Sequence, residues 1–387
     1  MDRIAFATGS RADYGIVRRY ISLLNEDDTI DFSILVTGAL LSKKYGHQVD
    51  LIRADGFLID VEIDIDLNSE NNAGILHSMA IAEDKFGQYF EKHRYDLLII
   101  LGDRYEMLSV ATAAAMQRIP ILHLHGGEAT YGNYDEFIRH AITKMSLYHF
   151  TATEEYRQRI IQLGENPVRV FYLGALGAEN CTFIEEDKVP KKVKELCDKT
   201  YFTVLFHPET LTNISVADQI CELLGAIEQY QQYKLVFLGS NADTYSNEIR
   251  ARVKYFVEKH VNALYFENLP TAGYHFLLKH SLGLIGNSSS GLIEAPSLGI
   301  HTINIGARQD GRVRGNSVHD IPCEKERIKE EIEKIIMHPG TEIINPYYKK
   351  NAAKNYYITT KKLLERLKKD TAEPKRFYDY RINSSPI

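Results

Sequence analysis

Four short stretches concentrate the side chains able to move protons or hold a phosphate. The first, Gly9-Ser10-Arg11-Ala12-Asp13-Tyr14-Gly15, follows an apolar run and opens a helical one. A guanidinium and a carboxylate there meet the backbone N–H groups of a helix N-terminus, which already favour an anion. Arg11 can grip a phosphate through two N–H groups, or Arg11 and Asp13 can pair and cap the helix. The stretch is not GxGxxG, so a dinucleotide fingerprint is absent. In the second, Leu101-Gly102-Asp103-Arg104-Tyr105-Glu106, Asp103 stands where an apolar strand meets a loop. Partial burial there raises a carboxyl towards a useful acid or base, and an N-cap role is compatible with it.

The densest cluster is Ile121-Leu122-His123-Leu124-His125-Gly126-Gly127-Glu128. Two imidazoles and a carboxylate surround a Gly-Gly turn, and strand alternation places His123 and His125 on the same side if the strand continues. Acid–base and hydrogen-bonding roles suit this set better than a metal, for which it offers no convincing first set of ligands. Asp135 and Glu136 open the next helix, favourably for its dipole and aimed back at the same loops. In the second half of the chain, His207 sits at a strand end before Pro208. Further on, Gly286-Asn287-Ser288-Ser289-Ser290-Gly291-Leu292-Ile293-Glu294 links an apolar strand to a helix. Ser288, Ser289, Ser290 and Gly291 form either a neutral cradle for a diphosphate or a serine-rich cap, and Glu294 can accept from a ribose diol. Arg308, Arg312 and Arg314, in a glycine-bearing loop, supply positive charge to the same end.

These stretches lie at the ends of regularly alternating elements. Strands are expected at 3–8, 32–37, 96–101, 119–123, 149–151 and 168–173, with helices at 14–26, 40–54, 74–93, 104–117, 134–146 and 154–163. The charged run 185–199, with Pro190, reads as a linker and short helix. The alternation then restarts, with strands at 201–206, 234–238, 263–266, 282–285 and 302–305 and helices at 216–231, 246–259, 271–280 and 291–298. Short apolar strands between helices give βαβ units and parallel sheets covered on both faces. A chain of 387 residues needs two such cores. The expected division is 1–184, 185–350 and a basic amphipathic helix and tail at 351–387 that packs across the domains. Ligands of open parallel sheets sit outside the strands' carboxyl ends, so two facing domains make a cleft there.

Composition narrows the class. Hydrophobic residues at 44% and charged residues at 25% are ordinary for a globular protein, which excludes disordered and fibrous designs. No run of about 18 apolar residues spans a bilayer, and Ile4–Ala7 is too short for a signal-peptide core. The net charge of −6 argues against nucleic acid as a partner. Cys181, Cys197, Cys221 and Cys323 are scattered without CxxC spacing, as suits reduced thiols in the cytoplasm.

Taken in order, TGSRADYGIVRR, LGDRYE, HLHGGE, NYDEFIRHAITKMS, LGALGAEN, FHPET, GSNADT, IGNSSSGLIEAPSL and INIGARQDGRVRG resemble the hydrolysing UDP-N-acetylglucosamine 2-epimerases of bacterial sialic acid biosynthesis. The resemblance implies a GT-B-like fold of two Rossmann-type doubly wound domains, a UDP-sugar substrate, no metal or other cofactor, and a homodimer or a tetramer. By position it implies nucleotide and phosphate contacts for Arg11, His207, Ser288, Ser289, Glu294 and Arg308. It assigns Asp13, Asp103, Arg104, Glu128 and Asp135 to the sugar and its proton transfers. Many relatives carry glutamate where His125 stands, so the group that takes the C2 proton lies between His125 and these carboxylates. The implied reaction eliminates UDP to a 2-acetamidoglucal and hydrates it to N-acetylmannosamine. Other expectations in play are a related 2,4-diacetamido sugar, an epimerase that retains UDP, and a catalytically idle nucleotide-sugar-binding module.

Overall fold

Strands dominated by Val, Ile, Leu and Phe are buried on both faces, and the helices between them cover those faces. A computed structural model describes the chain except residues 44–45, 69–70, 132–133, 210–213, 240–245, 338–341, 370–374 and 380–387, with 246–247 described in backbone only. The GSNADT stretch, apart from Gly239, and Thr210 of FHPET therefore lie outside the described residues.

The chain divides into two units. The first comprises Met1–Ala129, Asn133–Leu176 and Lys349–Ile387, and the second Thr130–Gly132 and Gly177–Tyr348. The division thus falls at 176/177 and 348/349 where the sequence suggested 184/185 and 350/351. The C-terminal helix belongs to the first unit.

In the first unit, β1 (Asp2–Thr8), β2 (Ile30–Thr37), β3 (Ile59–Ile63), β4 (Leu97–Leu101), β5 (Ile121–Leu124), β6 (Tyr148–Thr151) and β7 (Val170–Tyr172) form one sheet of order β3-β2-β1-β4-β5-β6-β7. Every pairing in it is parallel. The helices are α1 (Arg11–Asn25), α2 (Asp50–Ala54), α3 (Asn72–Lys92), α4 (Tyr105–Met116), α5 (Asp135–Met145) and α6 (Glu154–Gln162), with α7 (Leu176–Asn180) at the boundary. Strand alternation splits the core: Ile4 and Phe6 face a cluster with Val17, Tyr20 and Ile21, whereas Ala5 and Ala7 face Phe86, Met107 and Val110. Each fully buried Ile, Val, Phe or Met side chain among them contributes roughly 1.5–3 kcal/mol.

The second unit has β8 (Tyr201–Leu205), β9 (Lys234–Leu238), β10 (Ala263–Phe266), β11 (Leu284–Gly286), β12 (Thr302–Ile305) and β13 (Val318–Ile321), in the order β10-β9-β8-β11-β12-β13 and again parallel. Its helices are α8 (Lys191–Lys194), α9 (Val216–Ile227), α10 (Ser246–Lys259), α11 (Thr271–Lys279), α12 (Ser290–Ile293) and α13 (Lys325–Met337). Then α14 (Ala352–Lys369) returns to the first unit. There Tyr356 donates to Gly174 O at 2.8 Å and Tyr20 shares a 2.7 Å hydroxyl contact with Thr360, which seats α14 on α1. Among the described residues no helix is long and apolar enough to cross a membrane.

In both sheets the strand order changes sense at one place, between β1 and β4 in the first unit and between β8 and β11 in the second. Connections leaving to opposite sides open a crevice at the carboxyl ends of those strands. The four chemistry-bearing stretches begin there or one strand away.

The differences from expectation are local. The helix expected at 40–54 is reduced to α2, and that at 291–298 breaks at Glu294, after α12, into a 3₁₀ turn, Ala295–Leu298, with Pro296 in its first turn. Strands β3 and β13 and helices α7 and α13 were not anticipated.

Candidate functional site

In the first unit, Ser10 caps α1 by accepting from Asp13 N at 3.2 Å, which turns the Asp13 side chain back towards the crevice. Its Oδ2 is shielded from solvent and has no hydrogen-bond partner. Burial raises the Asp13 pKa to about 6, offset by attraction to Arg104 and the Ser10 contact and reinforced by Glu106 and Asp103. Such a carboxyl gives and takes a proton near neutrality. Arg11 is the exposed first residue of α1.

Arg104 Nε lies 2.5 Å from Glu106 Oε1, and that pairing with Glu106 holds the guanidinium charged. Glu106 is fully buried, with Oε2 unpartnered. A side chain at Gly9 would meet Glu106 Oε1 at 2.5 Å, so the glycine before Ser10 makes room for this carboxylate. Glu106 escaped the sequence reading because an acid in the first turn of a helix looks like a dipole partner.

Asp103 is not the cap of α4, whose N-cap is Arg104 without a side-chain bond. It ion-pairs instead with Arg139 of α5, almost wholly buried. Arg139 also donates to Glu128 O at 2.9 Å and Glu136 Oε2 at 3.2 Å. One guanidinium thus joins the loops after β4 and β5 to the start of α5, where Asp135 sits half-buried in the first turn. In the sequence, Arg139 on an amphipathic helix is not distinguished from a surface charge.

The two histidines of HLHGGE part company. Strand β5 ends at Leu124, and His125 adopts φ +61°, so the alternation that would have aligned them does not continue. His123 is fully buried, with Nε2 donating to Gly102 O at 2.8 Å and Nδ1 3.1 Å from Thr143 Oγ1. Because a carbonyl only accepts, the proton is on Nε2 and Nδ1 accepts from the threonine. Burial lowers its pKa to about 3, so His123 is a neutral strut. His125 places Nδ1 3.4 Å from Glu128 Oε1, while its Nε2 is buried and unpartnered. The turn needs its glycines: Gly127 has φ +79° and a Cβ there would lie 2.4 Å from Tyr156 O.

In the second unit, Asn287 is the hub. It is fully buried; Oδ1 accepts from His207 N at 2.7 Å and Nδ2 donates to His207 O at 2.9 Å. Its carbonyl accepts from Arg308 Nη1 at 3.2 Å and Gln309 Nε2 at 2.8 Å. Asn287 therefore fixes the loops after β8, β11 and β12 together. Burial, aided by Arg308, lowers the His207 pKa to about 3 and keeps that imidazole neutral. Arg308 N donates to Glu209 Oε1 at 3.0 Å, and burial pushes the Glu209 pKa up.

The serines form a network rather than a helix cap. Ser288 Oγ is 3.1 Å from Ser290 Oγ, which is 2.5 Å from Tyr274 Oη, and Ser289 precedes α12 without a side-chain cap. Gly291 is buried against Thr302, and Glu294 Oε1 lies 3.6 Å from His275 Nε2. Of the three loop arginines, Arg314 is taken up by Asp320 at 2.7 Å and Asp310 at 3.4 Å, which removes it from the phosphate set. Among the described residues no cluster of His, Cys, Asp and Glu could hold a metal ion. Asn287, Glu209, Gln309, Tyr274 and His275 were missed, since each acts through a partner distant in sequence.

Residues 22–359 match the protein family described as UDP-N-acetylglucosamine 2-epimerase. The chain is 47% identical, over 98% of both chains, to the polysialic acid biosynthesis protein P7 of Escherichia coli. It is 35% identical to the GDP/UDP-N,N'-diacetylbacillosamine 2-epimerase (hydrolyzing) of Campylobacter jejuni, over 82% of this chain and 84% of that one. The crystal structure of UDP-GlcNAc 2-epimerase from Neisseria meningitidis bound to UDP-GlcNAc shares the fold, with TM-score 0.75, 17% identity, and 94% and 100% of the two chains covered.

Proposed function

The chain belongs to the UDP-N-acetylglucosamine 2-epimerase family, and on that premise we propose that it is a hydrolysing 2-epimerase converting UDP-N-acetylglucosamine and water to N-acetylmannosamine and UDP. The sugar end falls to the first unit and the diphosphate end to the second. The observation that carries the reading is the Asp13 carboxyl, with a pKa of about 6 and an unpartnered oxygen, beside Arg104. Elimination of UDP and hydration of the resulting glucal need proton transfer at C2 near neutral pH. Asp103, His125, Glu128 and Asp135 serve that work around the sugar; Arg11 and Arg104 hold the substrate. Ser288, Ser289, Ser290, Gly291, Glu294, His207 and Arg308 receive the nucleotide, as fixed donors must when a diphosphate leaves.

The reading brings with it a cytoplasmic homodimer needing no metal or other cofactor, in sialic acid biosynthesis. The printed name of the 47% identical relative, which concerns polysialic acid, supports that setting. The test is incubation with UDP-N-acetylglucosamine in heavy water: free N-acetylmannosamine with one deuterium at C2, together with UDP, is expected. Product still attached to UDP, or free of solvent deuterium, overturns the proposal. A second reading, a UDP-2,4-diacetamido-trideoxyhexose as substrate, is favoured by the name of the Campylobacter relative. A higher kcat/KM for that sugar would select it.

A further inference from the structure

His123 and His125 stand two residues apart in one strand-and-turn, and they provide each other's control. Both ring nitrogens of His123 are satisfied, by a carbonyl and a threonine hydroxyl, as expected of an imidazole kept for structure. His125 is held at comparable cost without that reward. Its backbone is in the left-handed region, at φ +61°, where a residue with a Cβ is strained. Its N–H is pinned to Phe150 O at 2.9 Å, so the strained turn is fixed to the neighbouring strand. Its side chain is only 12% exposed, Nδ1 faces Glu128 Oε1 at 3.4 Å, and Nε2 is buried with no partner. Glu128 is in turn steadied by the Arg139 contact to its carbonyl. A buried polar atom left open on a strained residue points to a partner that arrives with the substrate.

Resting on the epimerase reading, we propose that His125 is the group that takes the sugar C2 proton, through Nε2, and that Glu128 positions it by accepting the Nδ1 proton. A carboxylate facing Nδ1 selects the tautomer protonated there and leaves the Nε2 lone pair available. In the step, Nε2 bonds the C2 proton and the C2–H electron pair becomes the C1–C2 double bond. The C1–O bond breaks with its electrons retained by the β-phosphate of UDP. The imidazolium so formed lies against the Glu128 carboxylate, which stabilises it. Because the configuration at C2 changes, the proton added in the hydration step comes from a different group on the other face. Asp13 has the pKa for that part.

The left-handed backbone supplies the test. Glycine suits φ +61° better than histidine does, so His125→Gly keeps the turn and removes only the imidazole. Provided the wild type releases N-acetylmannosamine, the variant should lose turnover on the order of 10²–10⁴-fold. It should melt no lower than the wild type and regain rate saturably with added imidazole. Glu128→Gln should slow the wild type yet add little to His125→Gly, because its effect passes through the histidine. A His125→Gly enzyme of wild-type rate, a folded one unresponsive to imidazole, or independent effects of the two substitutions each overturns the assignment. Should glycine unfold the loop, His125→Asn, also tolerated at positive φ, carries the same expectations. A wild type that releases no N-acetylmannosamine would instead refute the epimerase reading and leave the two failures distinguishable.

Discussion

The two units share strand order and place their sites where that order changes sense, yet they fill the place with opposite chemistry. Beside β1, β4 and β5 lie carboxylates, a strained histidine and buried atoms with no partner: Asp13 Oδ2, Glu106 Oε2 and His125 Nε2. Beside β8, β11 and β12, amides and hydroxyls are tied to one another through Asn287 and Ser290, with Glu209, Glu294 and Arg308 set among them and Gln309 Oε1 as a buried open atom. A scaffold does not dictate the task; the side chains grafted on it do. Unspent hydrogen-bonding capacity in titratable groups suits bond-making, and a pre-tied network suits holding a ligand in one pose.

Breaking the charged arrangement of the first unit should have the largest effect. Arg139→Met leaves Asp103 without its partner and unties the loops after β4 and β5. Removing one member of a buried pair costs about 3–5 kcal/mol, and with Asp103 a quarter exposed the lower end is expected. Urea unfolding measures the loss, and turnover should fall below detection in step with it. An enzyme of wild-type stability would show that the first unit does not depend on paired buried charge.

Asp13→Asn should separate chemistry from stability. Turnover should drop by about 10²–10⁴-fold, and the activity limb near pH 6 should vanish. The sign for folding is opposite. A carboxyl raised from 3.8 to about 6 binds its proton more tightly in the native state, so wild-type stability falls as pH rises across that window. The asparagine variant escapes this fall and should be more stable at pH 7 by about 1–3 kcal/mol. Equal stability at pH 4 and pH 7 in both proteins would deny that Asp13 is buried at a cost.

The second unit should respond differently. Asn287→Ala removes the clamp on His207 and leaves buried backbone groups unpaired, which costs about 2 kcal/mol. If this unit only holds the nucleotide, UDP affinity and KM should worsen by roughly tenfold, about 1.4 kcal/mol, with kcat changed much less. Calorimetry with UDP alone and steady-state kinetics give the two readings. A loss confined to kcat would place chemistry in the second unit and collapse the contrast.

Sequence resolved the scaffold far better than the roles. Parallel-sheet strands announce themselves as short apolar runs, which is why the central strands fell within a few residues of expectation. The two strands missed, β3 and β13, each form one edge of their sheet, and there Asp60, Glu62 and Asp320 interrupt the apolar pattern. At the site, residue type and loop position pointed to Asp13, Asp103, His125 and Ser288. They could not separate His123 from His125, because that depends on a strand ending at Leu124 and on Thr143 arriving from α5. Asn287 and Arg139 were illegible for the same reason, since each connects loops far apart in sequence.

The smallest effect expected concerns Lys375, in the C-terminal segment of the first unit. Its Nζ donates to Ser146 O at 2.6 Å and Lys144 O at 2.7 Å, at the C-terminal end of α5, and lies 2.8 Å from Glu165 Oε2. These contacts favour the charge at a helix C-terminus, but burial lowers the lysine pKa to about 8. The two tendencies oppose each other, so Lys375→Met should change stability at pH 7 by no more than about 1 kcal/mol. The pH dependence is more telling. Between about 8 and 10.5 the unfolded chain binds the proton that the native lysine has shed, so wild-type stability should rise with pH there. The methionine variant should lack that rise, as urea midpoints at pH 7.5 and 9.5 would reveal. Parallel midpoints in the two proteins would mean that the lysine pays no burial cost, and that the first unit holds its excess charge only at the crevice.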